Sequence, residues 1–196
     1  ALKLLENERP DLLFIGLVSI NIVTHQYGTD SVELEEVVEY TDFQIGRLMA
    51  KLKEIGWHKD TLLVITSDHG MSERPIGVDV QTLLKTSGCQ DILDNIASFS
   101  SGGTGGLYLN DVSPTIVERT LNVLRGLNHI QGAWYKYDGH APWFIQRIAH
   151  ERTMDIIIIP DYNAVILDAG KEVPNFAFYH GPPYPGDLSI WGIFSG

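Results

Sequence analysis

Three short segments concentrate side chains that can hold a cation. Asp68-His69-Gly70-Met71 sets a carboxylate oxygen beside an imidazole nitrogen, the donor types that a zinc-like ion takes. Neighbouring Asp and His side chains in a loop can turn toward one ion, and Gly70 removes a Cβ from the bend. Ser19-Ile-Asn21-Ile-Val-Thr-His25-Gln-Tyr-Gly28 places an oxygen donor four residues before a His, on one face if the segment is helical. Phe178-Tyr-His180-Gly-Pro-Pro supplies a third His. Each has a plainer reading alone: a helix-capping Asp, or loop histidines bonded to backbone. A metal pair needs several ligands from separate loops, and the three segments together offer them.

Positioning such residues requires a scaffold. Asp11 to Val18 is a continuous apolar run, the pattern of a strand buried on both faces. Asp30 and Glu33 resemble a cap and its N3 partner, and Leu34, Val37, Val38, Ile45, Leu48, Met49, Leu52 and Ile55 recur at helical spacing before Gly56. Thr61 to Thr66 reads as a second buried strand. Strand, long helix and strand predict a βαβ unit and a mostly parallel α/β sheet. Asp68 and His69 then lie at the carboxyl edge of that sheet, where open α/β folds bind ligands. Asn21, His25, Asp68, His69 and His180 are expected in one cleft.

From about Glu73 to Arg152 the rhythm changes to shorter mixed elements: a helix near Asp79 to Lys85, a glycine-rich loop over Ser100 to Gly106, a strand at Leu107 to Leu109, a helix from Ser113-Pro114 to about Arg125, and a strand near Ile130 to Tyr137. These predict a small α+β cap over residues 73–152, inserted between core segments 1–72 and 153–196. The core resumes with the β-branched run Asp155 to Pro160 and closes on Leu188 to Phe194. The glycine-rich loop fits neither phosphate-binding glycine pattern and reads as a hairpin. Lys85, Lys136 and Tyr137 are the cap residues expected to select substrate.

A formal net charge of −11 over 196 residues argues against a nucleic-acid partner, which calls for a basic stripe. An anionic substrate would have to be attracted locally, by metal ions. The single cysteine, Cys89, cannot form an internal disulfide and reads as an inert structural thiol. No apolar run reaches the roughly 18 residues of a membrane span.

The order of these parts resembles the type I phosphodiesterase/nucleotide pyrophosphatase family and its relative phosphonoacetate hydrolase, within the alkaline phosphatase superfamily. The resemblance rests on an oxygen-donor-x-x-x-His-x-x-Gly segment after an apolar run, a long helix, a strand leading into Thr66-Ser-Asp-His-Gly-Met71, an insertion, and a late His-Gly. It implies hydrolysis of phosphodiester, pyrophosphate or phosphonate bonds in a small phosphorylated or phosphonate substrate, with two divalent metal ions, zinc by donor type. It implies further that Asn21, His25 and His180 serve one ion while Asp68 and His69 serve the other. The family's nucleophile, a Thr or Ser, and a further Asp ligand have no counterpart in these residues. Asn21 stands where the family carries Asp, which removes one negative charge from the site and weakens the hold on a hard cation. That departure supports an alternative, a catalytically inactive relative acting as a binding or structural domain. A superfamily mutase fits less well, because Met71 stands where those enzymes carry Asn.

Overall fold

The computed structural model describes residues 1–173 and 178–195, which fall into two units: Ala1–Asp68 with Ile190–Gly196, and His69–Ser189. In the first, helices α1 (Leu2–Asn7), α2 (Ser19–Tyr27) and α3 (Val32–Glu54) precede strand β1 (Leu63–Thr66). The cap of α3 is Ser31, one residue after the expected Asp30; its extended backbone lets Oγ accept from the Leu34 amide at 3.2 Å. Leu34, Val37, Ile45, Leu48, Leu52 and Ile55 form the sheltered stripe, whereas Val38 and Met49 lie off it and are exposed. Gly56, at φ +77°, ends the helix, and the Trp57 amide returns to the Leu52 carbonyl at 2.9 Å.

The strand expected at Asp11 to Val18 does not form. Residues 12–18 carry no regular structure and Phe14 is 87% exposed. An apolar run becomes a strand only where a neighbouring edge satisfies its amides and carbonyls, and among the described residues no ladder reaches this segment. Strand β1 pairs antiparallel with the chain's last strand, β10 (Gly192–Ser195), Thr66 standing opposite Gly192. Its burial alternates instead of being complete, as in a sheet with one covered face. The parallel βαβ pairing anticipated around α3 is therefore replaced by an antiparallel pair.

The second unit opens with β2 (Ser72–Glu73), β3 (Ile76–Val78), α4 (Val80–Thr86) and α5 (Gln90–Asn95). Strands β4 (Ile96–Ser100) and β5 (Gly105–Leu109) form the hairpin read from the glycine-rich loop. Helix α6 (Pro114–Arg125), with Ser113 at its N-cap and Pro at its first turn, leads to β6 (Ile130–Tyr135), α7 (Trp143–Arg147), β7 (Ile156–Pro160) and β8 (Ala164–Ile166). β9 (Phe178–Tyr179) and α8 (Pro185–Leu188) complete it. Four strands make one antiparallel sheet in the order β4-β5-β7-β6, and β3 pairs parallel with β8.

β7 has neighbours on both edges, and all five of its residues are buried. Its alternation splits the packing: Ile156 and Ile158 join Leu84, Leu107, Leu121 and Leu124 on one face, while Ile157 and Ile159 pack with Ala141 and Ile145 on the other. On α6 the buried Val117, Thr120, Leu121 and Leu124 follow helical spacing. The strand expected to resume the core after residue 152 thus pairs with β5 and β6, from the segment expected to be the cap. A β-branched run reads alike in a parallel core and in the centre of an antiparallel sheet, so sequence alone does not choose its neighbours. No described helix is long and apolar enough to cross a membrane.

Candidate functional site

In the first unit, α2 supplies the helical turn that the Asn21 to His25 spacing requires, and the two side chains share a face. Both residues are half-buried, and the Asn21 Oδ1 atom is buried with no hydrogen-bond partner. An unsatisfied buried acceptor costs roughly 1–3 kcal/mol, a penalty that a bound cation would relieve. Gly28, at φ +85°, closes the helix after His25. Asp68 follows β1 as expected and is exposed.

In the second unit, His69 and His180 come together although 111 positions separate them in the chain (180 − 69). Ser72 pairs with Tyr179 in the β2–β9 ladder, and the imidazole rings stack with centroids 3.6 Å apart at an interplanar angle of 17°. His69 Nδ1 lies 2.7 Å from the Gly70 carbonyl oxygen. A carbonyl only accepts, so Nδ1 donates in this contact, and in the neutral ring the lone pair is then on Nε2. Gly70 is required by a close approach: a Cβ there would stand 2.0 Å from the Gly186 carbonyl oxygen. Among the described residues no group of three or more His, Cys, Asp or Glu could hold a metal by itself. The oxygen donor at Asn21 lies outside those residue types.

Sequence reasoning passes over the groups that hold this loop. Arg74 is fully buried and Asp187 is 3% exposed; they pair through Nη2 and Oδ2 at 2.5 Å. Arg74 Nη1 donates to the Tyr162 and Ala164 carbonyls, and its guanidinium lies over the rings of Tyr162 and Tyr184. Burial pushes the Asp187 carboxyl above its ordinary range, opposed by the Arg74 charge and by hydrogen bonds from Ser72 and Arg74. Neither residue belongs to a motif, and their 113-residue separation leaves no local signal. The glycine-rich loop reads from sequence only as a hairpin, yet it backs the late His: a Cβ on Gly103 would lie 2.0 Å from the His180 carbonyl oxygen. The proximity of Gly103 and Thr104 to Gly181 is not legible from spacing.

Among the expected substrate-selecting residues, Lys136 is 5% exposed. Its Nζ donates to the Glu151 and Thr153 carbonyls and pairs with Asp155 Oδ1 at 3.1 Å, which makes it an internal brace. Lys85 and Tyr137 are exposed.

Helices and mixed sheets make this an α/β protein, with oxygen and imidazole donors at helix and strand ends. The chain matches the family model Type I phosphodiesterase / nucleotide pyrophosphatase over residues 1–183, and it belongs to that family. All five candidate ligands fall within the match. A phosphonoacetate hydrolase from Sinorhizobium meliloti, solved with phosphonoacetate, shares the fold at a TM-score of 0.67 and 20% identity, over 98% of this chain and 48% of that one. Human ectonucleotide pyrophosphatase/phosphodiesterase 5 also gives a TM-score of 0.67 at 19% identity, covering 89% of this chain and 44% of its own. An uncharacterised pyrophosphatase/phosphodiesterase of Schizosaccharomyces pombe is 35% identical over 71 residues, 36% of this chain and 15% of that protein. The chain therefore spans less than half the length of the solved relatives and a smaller part of the curated one.

Proposed function

We propose that this chain forms the metal-binding part of a hydrolase that cleaves phosphodiester, pyrophosphate or phosphonate bonds in small substrates. Family membership supports the reaction class, and the orphaned Asn21 Oδ1 on the same helical face as His25 is the observation that carries the metal reading. Asn21, His25, Asp68, His69 and His180 are the proposed ligands of two divalent ions, zinc by donor type. When bound, such ions supply Lewis-acid neutralisation of charge on the phosphoryl or phosphonyl oxygens. His69, with its proton fixed on Nδ1 by the Gly70 carbonyl, presents Nε2 as donor without a tautomer change. A Thr or Ser nucleophile is proposed to come from outside these 196 residues.

The substrate class follows the relatives: one solved structure holds phosphonoacetate, and murine ectonucleotide pyrophosphatase/phosphodiesterase 5 was solved with AMP. The residue at position 21 favours one competing reading, a family member that keeps the fold without turnover, because an amide contributes no charge to a dication.

Metal analysis and hydrolysis of an aryl phosphodiester by the full-length protein decide between them. The expected result is about two ions per chain with turnover. His25→Ala should lower both, and Asn21→Asp should raise both. A full-length protein that stays metal-free and inert even as Asn21→Asp leaves the binding-domain reading standing.

A further inference from the structure

We infer that the buried Arg74–Asp187 pair is a positioning device that fixes the His69 and His180 imidazoles against each other. The inference rests on the reading of those histidines as metal ligands, although its first test does not need a metal. Two backbone links bracket the histidines: the Gly70 amide donates to the Asp187 carbonyl at 2.8 Å, and Ser72 pairs with Tyr179. Arg74 follows His69 by five residues and Asp187 follows His180 by seven, so their side chains join the two ligand-bearing segments a second time.

The contacts leave little freedom. A Cβ on Gly186 would lie 2.6 Å from the Ser72 Oγ atom, and one on Gly70 would strike the Gly186 carbonyl. Arg74 Nη2 donates to the Asp187 carboxylate and Nη1 to the Tyr162 and Ala164 carbonyls, anchoring the join to the residues at β8. A fork of fixed geometry holds register in a way that an apolar pair cannot, whereas stability alone is often served equally well by apolar replacement. Arg74 Nε and Asp187 Oδ1 are buried without hydrogen-bond partners, so the pair is not arranged for maximal satisfaction. Setting the spacing of the two rings accounts for a buried ion pair at this place.

The test replaces both charges at once, as Arg74→Met with Asp187→Leu in the full-length protein, because removing one partner would strand a buried charge. In metal-free wild type, rings stacked at 3.6 Å shift the carbon-bound imidazole protons of His69 and His180 upfield in the NMR spectrum. The double variant should keep its melting temperature within a few degrees, lose that ring-current shift, and bind zinc about 10- to 100-fold more weakly, as loss of an outer-shell partner does. If it folds and keeps both the ring-current shift and its zinc affinity within twofold, the pair is only structural and the inference is wrong. Should the double variant not fold, Arg74→Lys decides by the same measurements, since it keeps the charge and loses the fork; an unchanged shift overturns the inference. A wild type that takes up no zinc sinks the metal reading instead, and the ring shift still decides the positioning.

Discussion

Residues 12–18 and Ile156–Pro160 are both short runs of apolar side chains, yet the two units treat them in opposite ways. In the first unit the run carries no ladder and Leu12 and Phe14 are 72% and 87% exposed; in the second, β7 is paired on both edges and wholly buried. The side chains do not make the difference. Backbone partners do: β7 has β5 and β6 as neighbours, so each polar group of its backbone can be satisfied while its isoleucines go into two cores. Apolar composition supplies a reason to leave water, and only an available edge turns it into a strand.

Paired truncations test that contrast where its effect is largest. Ile158→Ala should cost about 2–5 kcal/mol in urea unfolding, since Ile158 is fully buried and its loss opens a cavity. Phe14→Ala should stay within about 0.5 kcal/mol, as exposed positions do. Equal losses at the two sites would mean that the first run is buried in the protein as it exists, and the contrast between units would collapse.

What can be read from the residues divides along the same line. Signals that act within a few positions are legible: the α3 stripe and its Gly56 stop, the Ser113-Pro114 start of α6, the Asp79 start of α4, the hairpin around the glycine-rich loop. Signals that depend on distant partners are not. Antiparallel pairing of β1 with β10, the central place of β7 and the Arg74–Asp187 bond each join segments whose meeting has no local mark. The site shows both: the helical turn joining Asn21 and His25 follows from spacing, as does the place of Asp68 after a strand, whereas the support of His180 by Gly103 comes from a backbone contact that no motif encodes.

Glycines sharpen the comparison at the next scale. Gly46 lies inside α3 with nothing within 4 Å of the place a Cβ would take, and Gly103 lies against the His180 carbonyl, 2.0 Å from where its Cβ would stand. Gly46→Ala should therefore stabilise the first unit by roughly 0.5–1 kcal/mol, because alanine restricts the unfolded chain and favours helix. Gly103→Ala should destabilise the second by about 1–3 kcal/mol, since overpacking displaces backbone. Thermal unfolding of the two variants reads both signs; a harmless Gly103→Ala would show that the loop does not back His180.

A last comparison takes two helix caps of different chemistry, Ser31 on α3 and Asp79 on α4. Each accepts a backbone amide near 3 Å, Ser31 from Leu34 and Asp79 from Thr82, and replacement by Ala at either should cost about 1 kcal/mol at neutral pH. Only the second should depend on pH. Burial alone would raise the Asp79 carboxyl, but donors on Gly170 and Thr82 outweigh it and hold the group below its ordinary range. A carboxylate depressed in the folded state binds protons more readily when unfolded. Its stabilising contribution is therefore complete above the ordinary carboxylate range and is lost as pH falls through the lowered folded value. Unfolding free energies measured from about pH 7 down to about pH 3 should show the gap between wild type and Asp79→Ala narrowing with acid, while the gap for Ser31→Ala stays level, because a hydroxyl does not titrate there. A level gap for Asp79→Ala would mean that the carboxylate is not held by those donors, and the two caps would then be equivalent despite their difference in charge.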